Sequence, residues 1–193
     1  MKKGILVTIM GVTNMGKTTQ MGLLENYLLE KNLKFKTLKY PIYSLVPTGP
    51  RIHAFLKGNN PENLTPTQFQ ELCAQNRMDF QPELEKMLAE NDVVIAEMYT
   101  GTGIAYGIGD GVPRDYLLKV NEGLLAPDVS ILLDGTRYLE SIEKTHVYEN
   151  DNEKTERIRA IHLDLAKEFG WHVLNANLSR DEIHKEIIDI ILD

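Results

Sequence analysis

Gly11-Val12-Thr13-Asn14-Met15-Gly16-Lys17-Thr18 decides the fold: two glycines five positions apart, then a lysine and a hydroxyl residue. The apolar run ending at Met10 precedes it, and a segment of helical periodicity from Thr18 to Lys31 follows. Between a strand and a helix, this pattern is a phosphate-binding loop. Its glycines let the backbone curl so that successive N–H groups point into one concavity, and the helix adds the positive end of its dipole. Lys17 is long enough to reach the outer phosphate oxygens of a nucleoside triphosphate, and the Thr18 hydroxyl is the magnesium-side ligand. Gly11, Thr13, Asn14, Met15, Gly16, Lys17, Thr18 and Thr19 form the expected ATP and Mg2+ cradle. The loop does not name the reaction, because motors, GTPases, sulfotransferase-like proteins and kinases all use it.

Outward from the loop, short apolar runs alternate with longer helical segments. This is the signature of an α/β protein with a parallel sheet covered by helices on both faces. Strands are predicted over Gly4 to Met10, Phe35 to Tyr40, Asp92 to Glu97, Val129 to Asp134 and Trp171 to Asn175. Helices are predicted over Thr18 to Lys31, Pro50 to Lys57, Pro66 to Glu90, Arg114 to Glu122, Glu153 to Phe169 and Arg180 to Leu192. Thr65 and Pro66 read as a cap and first turn, and Gly170 as a stop. The stretch from Gly101 to Pro113 holds five glycines and reads as a mobile loop that closes on ligand, as does the charged stretch from Glu143 to Arg157. One domain accounts for all 193 residues, with a lid at residues 136–152.

The net charge is -7, so no global positive field draws the chain to nucleic acid polymers or anionic lipid, and a polyanion needs a local cationic pocket. The basic start and short apolar run lack the pattern of a cleaved signal, and no stretch is long enough for a membrane span. A single cysteine, Cys73, excludes an intramolecular disulfide and a cysteine-based zinc site, which fits a reducing cytoplasmic setting.

Glu97 ends the third strand beside the loop strand, where such sheets hold magnesium through water. With it the whole chain, from Lys3 to Leu192, resembles the thymidylate kinases, nucleoside monophosphate kinases of the P-loop class. The resemblance rests on collinear segments: Lys17-Thr18-Thr19-Gln20, Tyr40-Pro41, Ala74-Gln75-Asn76-Arg77, Glu97-Met98-Tyr99, Thr102-Gly103-Ile104-Ala105-Tyr106, Pro127-Asp128, and Asn175-Ala176-Asn177-Leu178-Ser179. It implies a three-layer P-loop kinase fold with a five-stranded parallel sheet and a small lid, assembled as a homodimer. It further implies transfer of the γ-phosphoryl of ATP to the 5′-phosphate of a nucleoside monophosphate, dTMP first. Lys17, Arg77 and Glu97 carry the catalytic roles in that reading. Tyr40, Pro41, Phe69, Cys73, Asn76, Arg77, Gly103, Tyr106 and Glu149 line the acceptor side, and Asn175, Ala176 and Asn177 lie by the adenine. Phe69 and Cys73, on one helical face, read first as core residues, and Tyr106 reads equally as an ordinary half-buried tyrosine.

The sequence departs from the family where charge matters. Met98 replaces the arginine after the strand-end acid, Thr13 replaces an aspartate of the loop, Cys73 replaces an aromatic, and Tyr43 stands where some members have arginine. Lys39, Arg51 and Lys144 are the candidate replacement cations, each also readable as a solvated surface charge. A deoxynucleoside kinase needs a carboxylate base just after the second strand, and Lys39-Tyr40-Pro41-Ile42-Tyr43-Ser44 has none. A nucleotide-binding protein with little transfer activity is the alternative from another class.

Overall fold

Side chains of the first strand, buried from Leu6 to Met10, point alternately to two faces, and that alternation builds the layers. In the computed structural model, which describes residues 4–136 and 151–192, β1 (Ile5–Met10) sends Val7 and Ile9 to one face of a sheet and Leu6 and Met10 to the other. The remaining strands are β2 (Phe35–Lys39), β3 (Val93–Glu97), β4 (Val129–Asp134) and β5 (His172–Asn175). They form one parallel sheet in the order β2-β3-β1-β4-β5, with Ile9 opposite Glu97 and Val7 opposite Val129. All of β3 is buried, as a central strand covered on both faces requires.

The helices are α1 (Lys17–Glu30), α2 (Thr48–Leu56), α3 (Pro66–Glu90), α4 (Thr100–Gly109), α5 (Arg114–Val120), α6 (Asn152–Phe169) and α7 (Arg180–Leu192). One face of the sheet packs Val7, Ile9, Val93 and Ile95 against Leu24 and Leu28 of α1 and Ile183 and Ile187 of α7. The other packs Leu6, Val94 and Ala96 against Leu84 and Leu88 of α3, and Met10 and Leu132 against Ala166 of α6. The predicted punctuation holds. Thr65 accepts from the Gln68 N–H while the Gln68 side chain accepts from the Thr65 N–H, and Gly170 ends α6 at φ 67°.

The glycine-rich stretch after β3 departs from expectation, since Thr100–Gly109 is a buried helix and not a mobile loop. Its glycines serve close packing. A Cβ at Gly101 would lie 2.6 Å from the Trp171 ring, one at Gly107 2.6 Å from Leu117 Cδ2, and one at Gly109 2.5 Å from Ile158 Cγ1. Tertiary approach of α3, α5 and α6 outweighs the roughly 1 kcal/mol helical cost of each glycine. Most of the expected lid, with Glu143, Lys144, His146 and Glu149, lies outside the described residues. Among those described, no helix is long and apolar enough to cross a membrane.

Candidate active site

The carboxyl ends of β1, β2 and β3 open into one cleft of about 1100 Å³. Its donor-side wall is Thr13 to Gln20; Lys39, Tyr40, Pro41, Phe69, Cys73, Arg77, Glu97, Gly103 and Tyr106 line the rest, with Ala176 at the β5 edge. A volume above that of ordinary single-ligand pockets suits two nucleotides end to end.

The loop's shape follows from its sequence. Gly11 has φ +143° and packs so close to the backbone of Leu133 that a Cβ would sit 2.6 Å from that carbonyl oxygen. Gly16, at φ 79°, caps α1 in the left-handed region with open space around it, so the α1 amino end faces the cleft unobstructed. The Lys17 ammonium is buried and donates to the Val12 carbonyl oxygen at 2.7 Å, which holds it inside the loop. Asn14 also has positive φ, and its buried side-chain N–H group has no acceptor among the described residues.

Glu97 is 4% exposed, yet side chains from two other elements converge on it. The Thr18 hydroxyl donates to Oε2 at 3.4 Å, and the Lys39 ammonium at the end of β2 lies 3.0 Å from Oε1. Hard oxygen donors from Thr18 and Glu97 therefore stand together, as a magnesium ion shared with substrate phosphates requires. Among the described residues no group of three or more His, Cys, Asp or Glu gathers. Met98, next in sequence, takes φ 60°, packs against the core and lines the cleft.

At the far wall Arg77 is 5% exposed and, among the described residues, makes one hydrogen bond, from Nη1 to Asn121 Oδ1 at 2.9 Å, while its buried Nε–H is unpartnered there. No carboxylate pairs with it among the described residues. Burial depresses the stability of its charge, and its neighbours do not ionise to compensate. The buried Cys73 thiol is pushed up to about 12 and the Tyr99 phenol likewise to about 12, both mainly by desolvation, and the Tyr40 phenol is raised for the same reason. A desolvated guanidinium with no anion is a binding site for one.

Sequence reasoning and geometry part at three asparagines. Asn76, expected on the acceptor side, is fully buried away from the cleft, where Oδ1 accepts from the Ile42 N–H and Nδ2 donates to the Ile42 carbonyl and Thr48 Oγ1. Its capacity is used in tying the loop after β2 to α3. Asn175 and Asn177, expected at the adenine, shape the turn after β5 instead. Asn175 accepts from the Asn177 N–H at 3.0 Å, and Asn177 accepts from the Thr136 N–H at 2.8 Å. Only Ala176 of that trio reaches the cleft. Phe69 stacks on Phe55 with centroids 3.9 Å apart, and Tyr106 meets His162 edge-on; both are core and cleft wall at once. The structure adds His53, Lys57, Arg180 and Ile183 to the lining, none marked by a motif in the sequence, and Thr102 and Leu178 from two of the collinear segments. Arg51 pairs with Glu62 on the surface and is absent from the cleft.

A family model for thymidylate kinase matches residues 9–187. The chain belongs to the thymidylate kinase family. Among its relatives, the thymidylate kinase of Dictyostelium discoideum is 27% identical over 98% of this chain and 85% of its own length. That of Halothermothrix orenii is 28% identical over 96% and 95%. In fold, the chain is similar to the thymidylate kinase of Candida albicans, with a TM-score of 0.80, 23% identity and coverage of 98% and 92%. The enzyme from Ehrlichia chaffeensis gives a TM-score of 0.78 at 22% identity, covering 98% and 99%. This thymidylate kinase family member thus has the P-loop kinase fold and is an ATP-dependent nucleoside monophosphate kinase.

Proposed function

We propose that the protein transfers the γ-phosphoryl group of ATP to the 5′-phosphate of dTMP, giving dTDP and ADP. The observation that carries this reading is a single cleft with a phosphate loop at one end and the uncompensated Arg77 guanidinium at the other. A phosphate oxygen of the acceptor attacks the γ-phosphorus as the bond to the β-bridging oxygen breaks. The acceptor is already an anion, so no general base is needed, and the protein's work is alignment and charge neutralisation. The loop N–H groups and Lys17 hold the β- and γ-phosphates. Thr18 and Glu97 would hold Mg2+, which would supply charge neutralisation. Arg77 grips the acceptor. Lys39, drawn to Glu97 at the junction of the two half-sites, serves where the family places an arginine at the position of Met98.

The same reading includes one catalytic domain spanning the chain and a homodimer through the helices flanking β3, checked by light scattering. It places the protein in the cytoplasm, which the free, buried Cys73 supports. A coupled assay of ADP release with ATP and a panel of monophosphates tests the activity. Turnover is expected with dTMP first and lost in Lys17→Ala; preference for another monophosphate overturns the choice of acceptor, and absence of Lys17-dependent transfer overturns the reaction.

A further inference from the structure

Arg77 has five N–H donors and spends one of them within the described protein, on the side-chain oxygen of Asn121. Asn121 sits at the carboxyl end of α5, and its own amide is oriented by a second bond, from Nδ2 to the Leu117 carbonyl at 2.8 Å. That bond settles which end of the amide faces the guanidinium. Asn121 is not part of the main cleft's wall; it lines a separate cavity of about 410 Å³ behind it. It therefore approaches Arg77 from the side away from the substrates. Gly103 of α4 closes in on the guanidinium from another direction, where a Cβ would lie 2.9 Å from Cζ.

We propose that Asn121 is a positioning residue for acceptor binding: a neutral amide that fixes the Arg77 guanidinium without discharging it, so the full positive charge is kept for the substrate. The choice of amide is the physical point. A carboxylate at the same place would also accept from the guanidinium, but it would lose the donor to the Leu117 carbonyl, neutralise the cation and compete with the incoming anion. A buried cation without a counter-ion costs stability. Its neighbours Cys73, Tyr40 and Tyr99 stay protonated, so among the described residues no other group compensates the charge. The arrangement exchanges stability of the empty protein for affinity toward an anionic or carbonyl-bearing acceptor.

This inference rests on the reading of Arg77 as the acceptor grip, and the experiment separates the two. The full chain is prepared as Asn121→Asp, Asn121→Ala and Arg77→Ala, and each is assayed for dTMP KM, ATP KM, kcat and Tm. Asn121→Asp is expected to raise the dTMP KM at least about thirtyfold by pairing with the guanidinium, while ATP KM stays within twofold and Tm lies above that of Asn121→Ala, because the ion pair offsets the lost bond to the Leu117 carbonyl. Asn121→Ala is expected to raise the dTMP KM less, about fivefold to tenfold, and to lower Tm. Weaker acceptor binding in the more stable variant is the signature that a merely structural role does not produce. A dTMP KM within threefold of the parent in Asn121→Asp overturns the proposal, as does an equal loss of ATP binding. If Arg77→Ala leaves the dTMP KM unchanged, the reading of Arg77 falls and this proposal with it. If Arg77→Ala raises it and Asn121→Asp does not, Asn121 alone is misassigned.

Discussion

Gly103→Ala tests the acceptor wall with a single methyl group. The added Cβ would lie 2.9 Å from Cζ of Arg77 and 3.1 Å from Nη1, closer still to Nη2, whereas ordinary carbon contacts begin near 3.4 Å. The guanidinium has to retreat by roughly 0.5–1 Å, and it starts from a 2.9 Å bond to Asn121 with only 5% of the residue exposed. A charge-assisted hydrogen bond is worth about 1.5–3 kcal/mol, so losing one correctly aimed contact to the acceptor lowers kcat/KM for dTMP by about tenfold to 150-fold. Folding is affected in two opposed ways. Replacing glycine inside a helix contributes about 0.5–1 kcal/mol, while displacing a buried cation from its one partner costs a comparable or larger amount. A modest fall in Tm is expected. The loop residues that hold ATP are untouched, so ATP KM stays within twofold. The assay is steady-state kinetics in each substrate at saturating levels of the other, with Tm as the folding control. A folded variant whose kcat/KM for dTMP is within threefold of the parent refutes the reasoning, as does one that loses ATP affinity in parallel.

Lys39→Met removes the cation beside Glu97 and is expected to lower kcat by about tenfold or more, with Lys39→Arg retaining most activity; steady-state rates across Mg2+ concentrations separate a direct role from an indirect one on metal binding. His162 is 1% exposed, its Nδ1 against the Ile158 carbonyl, and burial holds its pKa down at about 4. The unfolded chain therefore takes up a proton below about pH 6.5 that the native state refuses until about pH 4. The neutral ring's contribution is whole above pH 6.5 and lost as pH falls through that window, a change of about 3 kcal/mol. His162→Leu should flatten the acid limb of Tm against pH between 4 and 6.5. Thr65→Ala breaks the capping box of α3 and should cost about 1 kcal/mol in urea unfolding without changing either KM.

Periodicity and local chemistry made most of the fold legible. The five strands were placed within a residue because buried parallel strands are nearly continuous in apolar character, and α3 was bounded by Thr65 and Pro66 through chemistry confined to neighbouring residues. The stretch Thr100–Gly109 was misread because a glycine's cost to a helix is visible in sequence, while the helix that needs its missing side chain is not. The backbone bonds of Asn76, Asn175 and Asn177 were hidden for a related reason: an amide looks alike in sequence whether it faces a ligand or satisfies backbone groups of a distant loop.

The sequence alone determined the phosphate loop, since eight consecutive residues with their flanking strand and helix create an anion nest by local backbone geometry. It also determined the resemblance to one kinase family, through the order of short segments along the chain. Only the tertiary structure decided how charge is distributed across the two-nucleotide cleft. Strand order brings Lys39 of β2 to Glu97 of β3, and the packing of α4 and α5 on α3 leaves Arg77 buried, held by Asn121 and without an acid among the described residues. Those partners are 58 and 44 residues apart in the chain, so their meeting depends on the folded core and on nothing either segment encodes by itself.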